Sequence, residues 1–460
     1  MTLIKSISGI RGTIGGQPEE NLTPLDAVRF AAAYGTWLLD QNQQKKIKVV
    51  IGRDARLSGA MLQELVQNTL IGLGVDVIDA GLSTTPTIEM AVVFEQAQGG
   101  IILTASHNPK EWNALKLLNE KGEFISALDG ATLLAMVEKE AFEFAEVDAL
   151  GKCHVRNDFI EQHIQAILEL PLVNVGAIQS AGFKVVVDAV NSTGGISIPP
   201  LLKALGVEMI PLYCEPTGHF PHNPEPLKEH LGDLCATVTK EKADFGIVVD
   251  PDVDRLAFVD EKGQMFGEEY TLVTCADYVL SKTKGNTVSN LSSTRALRVI
   301  TEKHGGKYTA AAVGEVNVVV SMKAEKAVIG GEGNGGIIYP ELHYGRDALV
   351  GIALFLSHLA DRQQSVSVLK ASYPSFFMSK NKVTLKVGMD VDGILEKIKN
   401  VYIDQNPSTI DGVKIDFDDR WIHLRKSNTE PIIRIYTEAP SQAVADGLAE
   451  TVLNQINALI

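Results

Sequence analysis

Residues 46–82 read KIKVVIGRDARLSGAMLQELVQNTLIGLGVDVIDAGL and contain the pattern that decides the fold. A short Val/Ile-rich run is followed by a polar turn, a helical stretch, a glycine and a second apolar run. This order predicts a strand, a helix, a helix-ending glycine and a second strand, which is the pattern of a right-handed βαβ unit.

The same pattern recurs twice, at residues 182–214 (GFKVVVDAVNSTGG…LLKALGVEMIPLYC) and, more loosely, at residues 285–314 (GNTVSNLSSTRALRVITEKHGGKYTAAAVG). Each repeat places a glycine where a helix C-cap needs positive φ, at Gly74, Gly206 and Gly306. The chain is therefore expected to contain three similar domains.

A further apolar run closes each repeat and ends in an unusual loop. The three segments read GGIILTASHNP, ADFGIVVDPDVDR and KAVIGGEGNGG. Ligand sites of open α/β sheets lie beyond the carboxyl ends of the strands. Three loops of different chemistry are therefore predicted to face one shared cleft.

After about residue 368 the strands FFMSKNKVTLKV, GVKIDFDDRWIHLRKSN and PIIRIYTEAP alternate apolar and polar residues, with helices expected at 390–400 and 441–459. The predicted class is α/β, with three similar α/β domains (βαβ-type mixed sheets) and a smaller C-terminal α+β domain around a central active-site cleft. The predicted boundaries are 1–150, 151–254, 255–368 and 369–460.

Composition narrows the class of protein. The 460 residues carry a net charge of −15 and no long basic run, which argues against nucleic acid as a partner. No apolar run is long enough for a signal peptide or a membrane helix, and the four cysteines fit neither a zinc site nor a disulfide framework. We expect a cytoplasmic protein with reduced thiols and no membrane partner. The sequence does not indicate its oligomeric state.

The segment FGIVVDPDVDRLAFV places Asp250, Asp252 and Asp254 at alternate positions. A loop that turns back on itself can direct three such carboxylates at one divalent cation. An EF-hand is excluded because Arg255 occupies the position that requires glycine. Two alternatives remain: a solvated acidic turn, and an aspartyl phosphatase in which Asp250 is the nucleophile.

The segment TASHNP contains Ser106, which is either a nucleophile or a helix N-cap. A serine hydroxyl needs a base, or must already carry the group it transfers. The chain has no GxSxG motif, so an α/β-hydrolase is not expected. Capping alone would not require His107 or Lys116.

Two further loops are candidate binding sites. GGEGNGG, residues 330–336, combines five glycines with Glu332 and Asn334 as hydrogen-bonding groups. LRKSNTEPIIRIY, residues 424–436, offers a guanidinium, hydroxyls and backbone N–H groups for a phosphate. Its candidate phosphate-binding residues are Arg425, Ser427, Asn428 and Thr429. Each loop alone is also compatible with an ordinary turn.

Together these loops resemble those of the α-D-phosphohexomutase family, the phosphosugar mutases that act on glucose, mannose and glucosamine phosphates. The resemblance spans nearly the whole chain. It includes SGIRG (8–12), GRDAR (52–56), TASHNP (104–109), DPDVDR (250–255), GEGNGG (331–336) and RKSNTEP (425–431).

The resemblance implies a phosphoserine at Ser106 and a Mg²⁺ ion held by Ser106, Asp250, Asp252 and Asp254. Phosphoserine 106 would phosphorylate a hexose monophosphate, and the resulting hexose 1,6-bisphosphate would turn round and return its other phosphate. Lys116 is a candidate acid/base or transition-state cation, and Arg11 and His107 resemble residues beside the phosphoserine. Arg255 is a candidate substrate ligand, as are Glu332 and Asn334 for sugar hydroxyls.

The resemblance is closest to the phosphoglucosamine mutase-like members, so glucosamine phosphate is the expected small-molecule substrate. Glu315, after Val-Gly, would partner the amino group or be a solvated loop residue. Lys426 either strengthens phosphate binding or faces solvent. Glucose or mannose phosphate is the alternative substrate. Outside this family, the alternative functions are an aspartyl phosphatase and a non-enzymatic sugar-phosphate binding protein.

Overall fold

The computed structural model describes residues 2–6, 9–42, 46–386, 389–426 and 432–459. The fold comprises two compact units, one formed by residues 1–271 and 335–367 and the other by 272–334 and 368–460. Helices α9 (Glu268–Lys282) and α13 (Val366–Ala371) contain the points of division. Each unit is described by itself.

The first unit begins with a seven-stranded sheet in the order β1-β2-β6-β5-β3-β4-β7. Its elements are β1 (Ile4–Ser6), β2 (Gly9–Thr13), α1 (Pro24–Gln41), β3 (Lys48–Arg53), α2 (Gly59–Gly72), β4 (Asp76–Leu82), α3 (Thr85–Phe94), β5 (Gly99–Leu103), β6 (Trp112–Leu118), α4 (Ala127–Lys139) and β7 (Cys153–Val155). Strand β3 pairs in parallel with β4 and β5, whereas β6 is antiparallel to β5 and β2.

The same unit contains a four-stranded sheet in the order β11-β10-β8-β9. The remaining elements of this unit are α5 (Phe159–Leu168), α6 (Val175–Ala181), β8 (Lys184–Asp188), α7 (Gly194–Ala204), β9 (Glu208–Leu212), α8 (Gly232–Glu241), β10 (Phe245–Val249), β11 (Leu256–Asp260), β15 (Gly336–Ile338) and α12 (Ala348–Arg362). Buried aromatic rings join α12 to this sheet, with Phe355 stacked on Phe258 at 3.8 Å between centroids.

The second unit contains the parallel strands β12 and β13, with β14 beside β12, and a four-stranded antiparallel sheet in the order β16-β19-β18-β17. Its elements are β12 (Asn286–Asn290), α10 (Ala296–Lys303), β13 (Tyr308–Ala311), α11 (Glu315–Glu325), β14 (Ala327–Glu332), β16 (Phe377–Thr384), α14 (Val391–Val401), β17 (Val413–Asp416), β18 (Trp421–Lys426), β19 (Ile432–Ala439) and α15 (Gln442–Asn457).

The three predicted repeats are present as β3-α2-β4, β8-α7-β9 and β12-α10-β13, each with two parallel strands. Both C-terminal helices are also confirmed. One detail was wrong. Gly74 and Gly206 have positive φ as expected, but in the third repeat Gly305 adopts it and Gly306 does not. Helix α10 ends at Lys303, so the left-handed turn comes one residue earlier.

Candidate active site

Ser106 lies in the loop between β5 and β6. Its backbone is left-handed, with φ of 48°, a conformation uncommon for a residue other than glycine, and its N–H donates to Thr104 Oγ1 at 2.9 Å. No helix begins here, because the chain turns directly into β6 at Trp112. The helix-cap interpretation of Ser106 is therefore wrong. Strain of this kind is commonly found at functional sites.

A buried arginine from the GRDAR segment fixes the backbone of this loop. The Arg56 guanidinium donates to the carbonyl oxygens of Ser106 (2.5 Å), Asn108 (2.6 Å), Pro109 (2.7 Å) and Trp112 (2.9 Å). Asp54 accepts from Arg56 Nε at 3.0 Å and from Thr104 Oγ1 at 2.7 Å. Arg56 thus ties four carbonyl oxygens of this loop to one buried guanidinium.

The aspartate loop joins the antiparallel strands β10 and β11. Asp250, Asp252 and Asp254 are fully buried, which excludes the solvated acidic turn. Val253 between them has φ of 64°, a true outlier for a β-branched residue. This turn lets Asp250 Oδ1 accept the N–H groups of Asp254 (3.1 Å) and Arg255 (3.0 Å).

The two loops meet where Ser106 Oγ donates to Asp250 Oδ2 at 2.6 Å. One carboxylate oxygen from each of the three aspartates lies within 4.8 Å of the others. Burial, with Asp254 and Asp252 close by, raises the pKa of Asp250 well above its ordinary value. One oxygen each of Asp252 and Asp254 is buried without a hydrogen-bond partner. This all-oxygen set with unused lone pairs fits a hard divalent cation such as Mg²⁺.

Cationic side chains surround the aspartates. Lys116 Nζ lies 2.7 Å from Asp252 Oδ2 and 3.2 Å from Asp254 Oδ2, and Arg346 lies 2.7 Å from Asp254 Oδ2. Burial lowers the pKa of Lys116, but the carboxylates of Asp252 and Asp254 outweigh burial and raise that pKa above its ordinary value. Lys116 is thus held as a cation, which suits charge stabilisation better than proton abstraction.

Other predicted residues lie near this centre. His107 Nδ1 is 3.4 Å from Ser106 Oγ, and burial together with Arg255 holds the pKa of His107 well below its ordinary value. Arg11 on β2 is opposite Ala114 on β6, two residues from Lys116, so that Arg11 and Lys116 project from the same sheet face. The first unit therefore unites Arg11, Ser106, His107, Lys116, Arg255 and the aspartates.

The predicted sugar-binding residues lie in the second unit. Glu332 Oε1 accepts from Asn290 Nδ2 at 2.8 Å and from the N–H of Gly314 at 3.1 Å. Glu315 begins α11 and is buried, so it is not a solvated loop residue. Asn334 is half-buried in the turn after β14.

The predicted phosphate loop is described only in part. Arg425 Nε lies 2.7 Å from Asp411 Oδ2, and Lys426 is exposed and pairs with Asp392 at 2.8 Å. Ser427, Asn428 and Thr429 lie outside the described residues.

Sequence reasoning assigned no role to Arg56, Arg346 or Thr85. The GRDAR motif was a usable signal for Arg56, and Arg346 lies in a second Gly-Arg-Asp segment. Thr85 Oγ1 donates to Asp252 Oδ2 at 2.5 Å. Thr85 begins α3 far from the aspartates in sequence, and no local pattern marked it.

Two predictions about the chain as a whole can be compared with the structure. The cysteines Cys153, Cys214, Cys235 and Cys275 are all free thiols, as expected. Among the described residues, no helix combines the length and apolar character needed to cross a membrane.

The geometry of the site defines a class of protein, because a serine hydroxyl on a buried carboxylate cluster, flanked by cations, suits phosphoryl transfer. Family models confirm this class along most of the chain. The phosphoglucomutase/phosphomannomutase α/β/α domains I, II and III match residues 3–144, 161–263 and 267–376, and the C-terminal domain matches 380–455.

Individual relatives agree. The chain is 36% identical to the phosphoglucomutase/phosphomannomutase of Thermococcus kodakarensis, covering 94% of this chain and 95% of the relative. It is 32% identical to the phosphoglucosamine/phosphogalactosamine mutase of Sulfurisphaera tokodaii, covering 96% of each. A crystal structure of a phosphoglucomutase/phosphomannomutase family protein from Burkholderia thailandensis superposes with a TM-score of 0.85 at 27% identity, covering 99% of this chain and 97% of that one.

The chain belongs to the phosphoglucomutase/phosphomannomutase family and is an isomerase of the phosphohexomutase type. It has the family's architecture of three similar α/β domains and a C-terminal domain.

Proposed function

We propose that this protein is a Mg²⁺-dependent phosphohexomutase that works through phosphoserine 106 and a hexose 1,6-bisphosphate. The observation that carries the proposal is the 2.6 Å hydrogen bond between Ser106 Oγ and Asp250, within a set of three buried aspartates. Ser106, Asp250, Asp252 and Asp254 would hold the ion. When bound, Mg²⁺ would neutralise charge on the transferring phosphoryl group.

The chain's own residues supply the positioning. Arg56 holds the carbonyl oxygens around Ser106, and the left-handed backbone at Ser106 directs its Oγ to the aspartates. Lys116 and Arg346 remain cationic beside the transferring group. In the forward half-reaction the P–Oγ bond of phosphoserine 106 breaks and a bond to the sugar hydroxyl oxygen forms. His107, 3.4 Å from Ser106 Oγ, is the candidate acceptor for the hydroxyl proton, and the negative charge of a phosphoryl group on Ser106 would raise its basicity.

The second half-reaction reverses the roles of the two phosphates. The bisphosphate turns round, the bond between its other phosphorus and the sugar oxygen breaks, and a bond to Ser106 Oγ forms. The sugar oxygen takes back the proton held on His107, and no phosphate is released. Arg425, Ser427, Asn428 and Thr429 would hold the phosphate that is not reacting, Arg255 would bind substrate, and Glu332 and Asn334 would bind sugar hydroxyls. An exogenous hexose 1,6-bisphosphate would phosphorylate Ser106 in protein that lacks the group.

Glucosamine phosphate is the proposed preferred substrate. Glu315 offers a buried carboxylate at the start of α11, and an ammonium group is a suitable partner for it. The name of the Sulfurisphaera relative also includes glucosamine phosphate. Glucose and mannose phosphates are the competing substrates, as in the name of the Thermococcus relative.

Turnover should be measured on glucosamine, glucose and mannose phosphates with Mg²⁺ and a trace of the matching 1,6-bisphosphate, while released inorganic phosphate is followed. We expect isomerisation without phosphate release and the largest kcat/KM for glucosamine phosphate. Phosphate release without isomerisation would instead establish an aspartyl phosphatase. Binding without turnover would establish a sugar-phosphate binding protein.

The role of Glu315 can be tested separately. Glu315→Gln should lower kcat/KM for glucosamine phosphate more than for glucose phosphate, because only the amino sugar loses an ionic partner. Glu325→Gln, at the other end of the same helix, where Glu325 pairs with Lys307, is the matched control. Equal losses on both sugars would refute the role of Glu315 while leaving the mutase activity intact.

A further inference from the structure

A second cluster of ligating side chains lies beside the aspartate loop, within the first unit. It consists of His163 on α5, His343 in the segment before α12, and Asp347, the N-cap of α12. None of these residues belongs to the phosphoryl-transfer site. We call them the histidine cluster.

Three potential ligand atoms converge in this cluster. His163 Nε2 lies 2.9 Å from Asp347 Oδ2, and His343 Nε2 lies 3.3 Å from the same oxygen. One ligand atom from each residue lies within 4.8 Å of the others. A tetrahedral ion with bonds of 2.0–2.1 Å separates its ligands by about 3.3 Å. The spacing therefore requires only small adjustments to coordinate such an ion.

The opposite nitrogen of each imidazole also has a polar partner. His163 Nδ1 is 3.0 Å from Thr87 Oγ1, and His343 Nδ1 is 3.4 Å from Glu89 Oε2. In metal sites a ligating histidine usually donates its other ring N–H to such an oxygen, which fixes the tautomer and the ring orientation. Both rings thus present Nε2 towards the common oxygen of Asp347.

Asp347 is oriented by its own helix. Its Oδ1 accepts the N–H groups of Leu349 at 2.8 Å and Val350 at 3.3 Å, which leaves Oδ2 to face the two imidazoles. This division of the two carboxylate oxygens matches the separate needs of a helix cap and a metal ligand.

Burial and charge favour a cation in this place. The side chains of His163 and Asp347 are 0% exposed, that of Glu89 is 1% exposed and that of His343 is 10% exposed. Two carboxylates so far from water need positive charge nearby. Imidazole with carboxylate is a donor set that suits zinc and other first-row transition metals, whereas Mg²⁺ prefers oxygen ligands.

We propose that His163 Nε2, His343 Nε2 and Asp347 Oδ2 bind one divalent transition-metal ion of the zinc class. Water would complete a four-coordinate set, since the chain supplies three ligands. The ion would link α5 to the N-terminus of α12, and through Glu89 and Thr87 to α3. Its role would be structural, and the proposal stands independently of the proposed mutase activity.

The test begins with untagged full-length protein purified without chelator, in which metals are counted by plasma mass spectrometry. We expect about one zinc-class ion per chain. After removal by a strong chelator, Zn²⁺ should rebind with one-to-one stoichiometry and raise Tm by a few degrees. Co²⁺ in its place should give the visible absorption of a four-coordinate nitrogen/oxygen site.

Variants assign the ion to the cluster. His343→Ala should lose the tight ion and its Tm increment, whereas His304→Ala, which breaks another histidine–aspartate pair, should retain both. Asp250→Asn should also retain the ion, which separates this site from the aspartate loop.

If wild-type protein neither contains nor tightly rebinds such an ion, the proposal is overturned. The cluster is then a group of buried polar side chains in which Asp347 holds His163 and His343 without a metal ion. Undiminished tight binding in His343→Ala would overturn it as well. The wild-type measurements keep the test decisive if His343→Ala does not fold.

Discussion

The aspartate loop and the histidine cluster differ in how their side chains are brought together. Asp250, Asp252 and Asp254 come from one turn of five residues and present only oxygen atoms, and Asp250 accepts a hydrogen bond from Ser106, the proposed phosphoryl carrier. The histidine cluster comes from two distant parts of the chain and mixes nitrogen with oxygen.

The two clusters nevertheless share structural elements. On α3, Thr85 contacts Asp252 and Thr87 contacts His163. In the segment before α12, Arg346 contacts Asp254 and Asp347 contacts His163. We infer that the aspartate loop takes part in phosphoryl transfer, whereas the histidine cluster stabilises the elements that support the aspartate loop. Four predictions test the difference between the two clusters.

The largest effect is expected for Ser106→Ala. Without Oγ there is no phosphoryl carrier, so mutase turnover should fall by at least about 10³-fold, with Tm and the content of tightly bound transition metal unchanged. Steady-state turnover and thermal unfolding measure both properties. Ser180→Ala, an exposed serine on α6, is the control. Turnover that survives in Ser106→Ala would remove the serine from the mechanism.

The second-largest effect is expected for brief treatment with a chelator, which should remove Mg²⁺ but not the ion of the histidine cluster. Mg²⁺ binds weakly and exchanges readily, so activity should disappear at once and return fully when Mg²⁺ alone is added. The ion of the histidine cluster should remain through the same short treatment, because imidazole nitrogens hold a zinc-class ion more tightly than carboxylate oxygens hold Mg²⁺. Activity and metal content are measured on the same samples. If Zn²⁺ were required to restore activity, the claim that the two clusters have separate roles would be wrong.

Arg56→Lys is expected to have an intermediate effect. An ammonium group cannot replace a planar guanidinium that donates to four loop carbonyls and to Asp54. Misplacement of Ser106 should lower kcat by about 10²-fold while the histidine cluster keeps its ion. Arg420→Lys, whose side chain lies at the surface, is a suitable control. A kcat within threefold of wild type would show that the loop holds its shape without Arg56.

The smallest effect is expected for Thr87→Val, which removes the hydroxyl beside His163 Nδ1 but keeps the side-chain shape. We expect an approximately tenfold loss of zinc affinity and a loss of about 1–2 kcal/mol in the free energy of unfolding. Competition with a chromophoric chelator and urea unfolding provide these values.

The control for Thr87→Val is Thr69→Val, because the Thr69 hydroxyl donates only to the carbonyl of Leu65 in its own helix. Equal zinc affinities in the two variants would show that Thr87 does not support the metal site.

The same contrast explains what could be read from the sequence. The three βαβ repeats and the alternating C-terminal strands have strong local periodicity, and the structure confirms them. The aspartate loop was recognisable because its ligands are contiguous. The positive φ was assigned to Gly306 instead of Gly305, because hydrophobic periodicity does not determine the residue at which a helix ends.

The histidine cluster was not predicted, since residues 180 positions apart meet only after α5 and α12 pack. Thr85 and Arg346 were missed for the same reason. The Ser106 loop was only partly predictable from the sequence. Its composition suits a helix cap, and only the continuation into β6 excludes that interpretation. The predicted domain boundaries remain predictions.

The most direct test of the central claim locates the phosphoryl group on the enzyme. Protein freed of bound phosphate is incubated with a hexose 1,6-bisphosphate and Mg²⁺, and its peptides are sequenced by mass spectrometry, with hydroxylamine used to detect acyl phosphates. We predict one phosphoryl group on Ser106, which a hexose monophosphate removes without release of inorganic phosphate. A hydroxylamine-sensitive phosphoryl group on Asp250, or stoichiometric release of inorganic phosphate, would contradict the account.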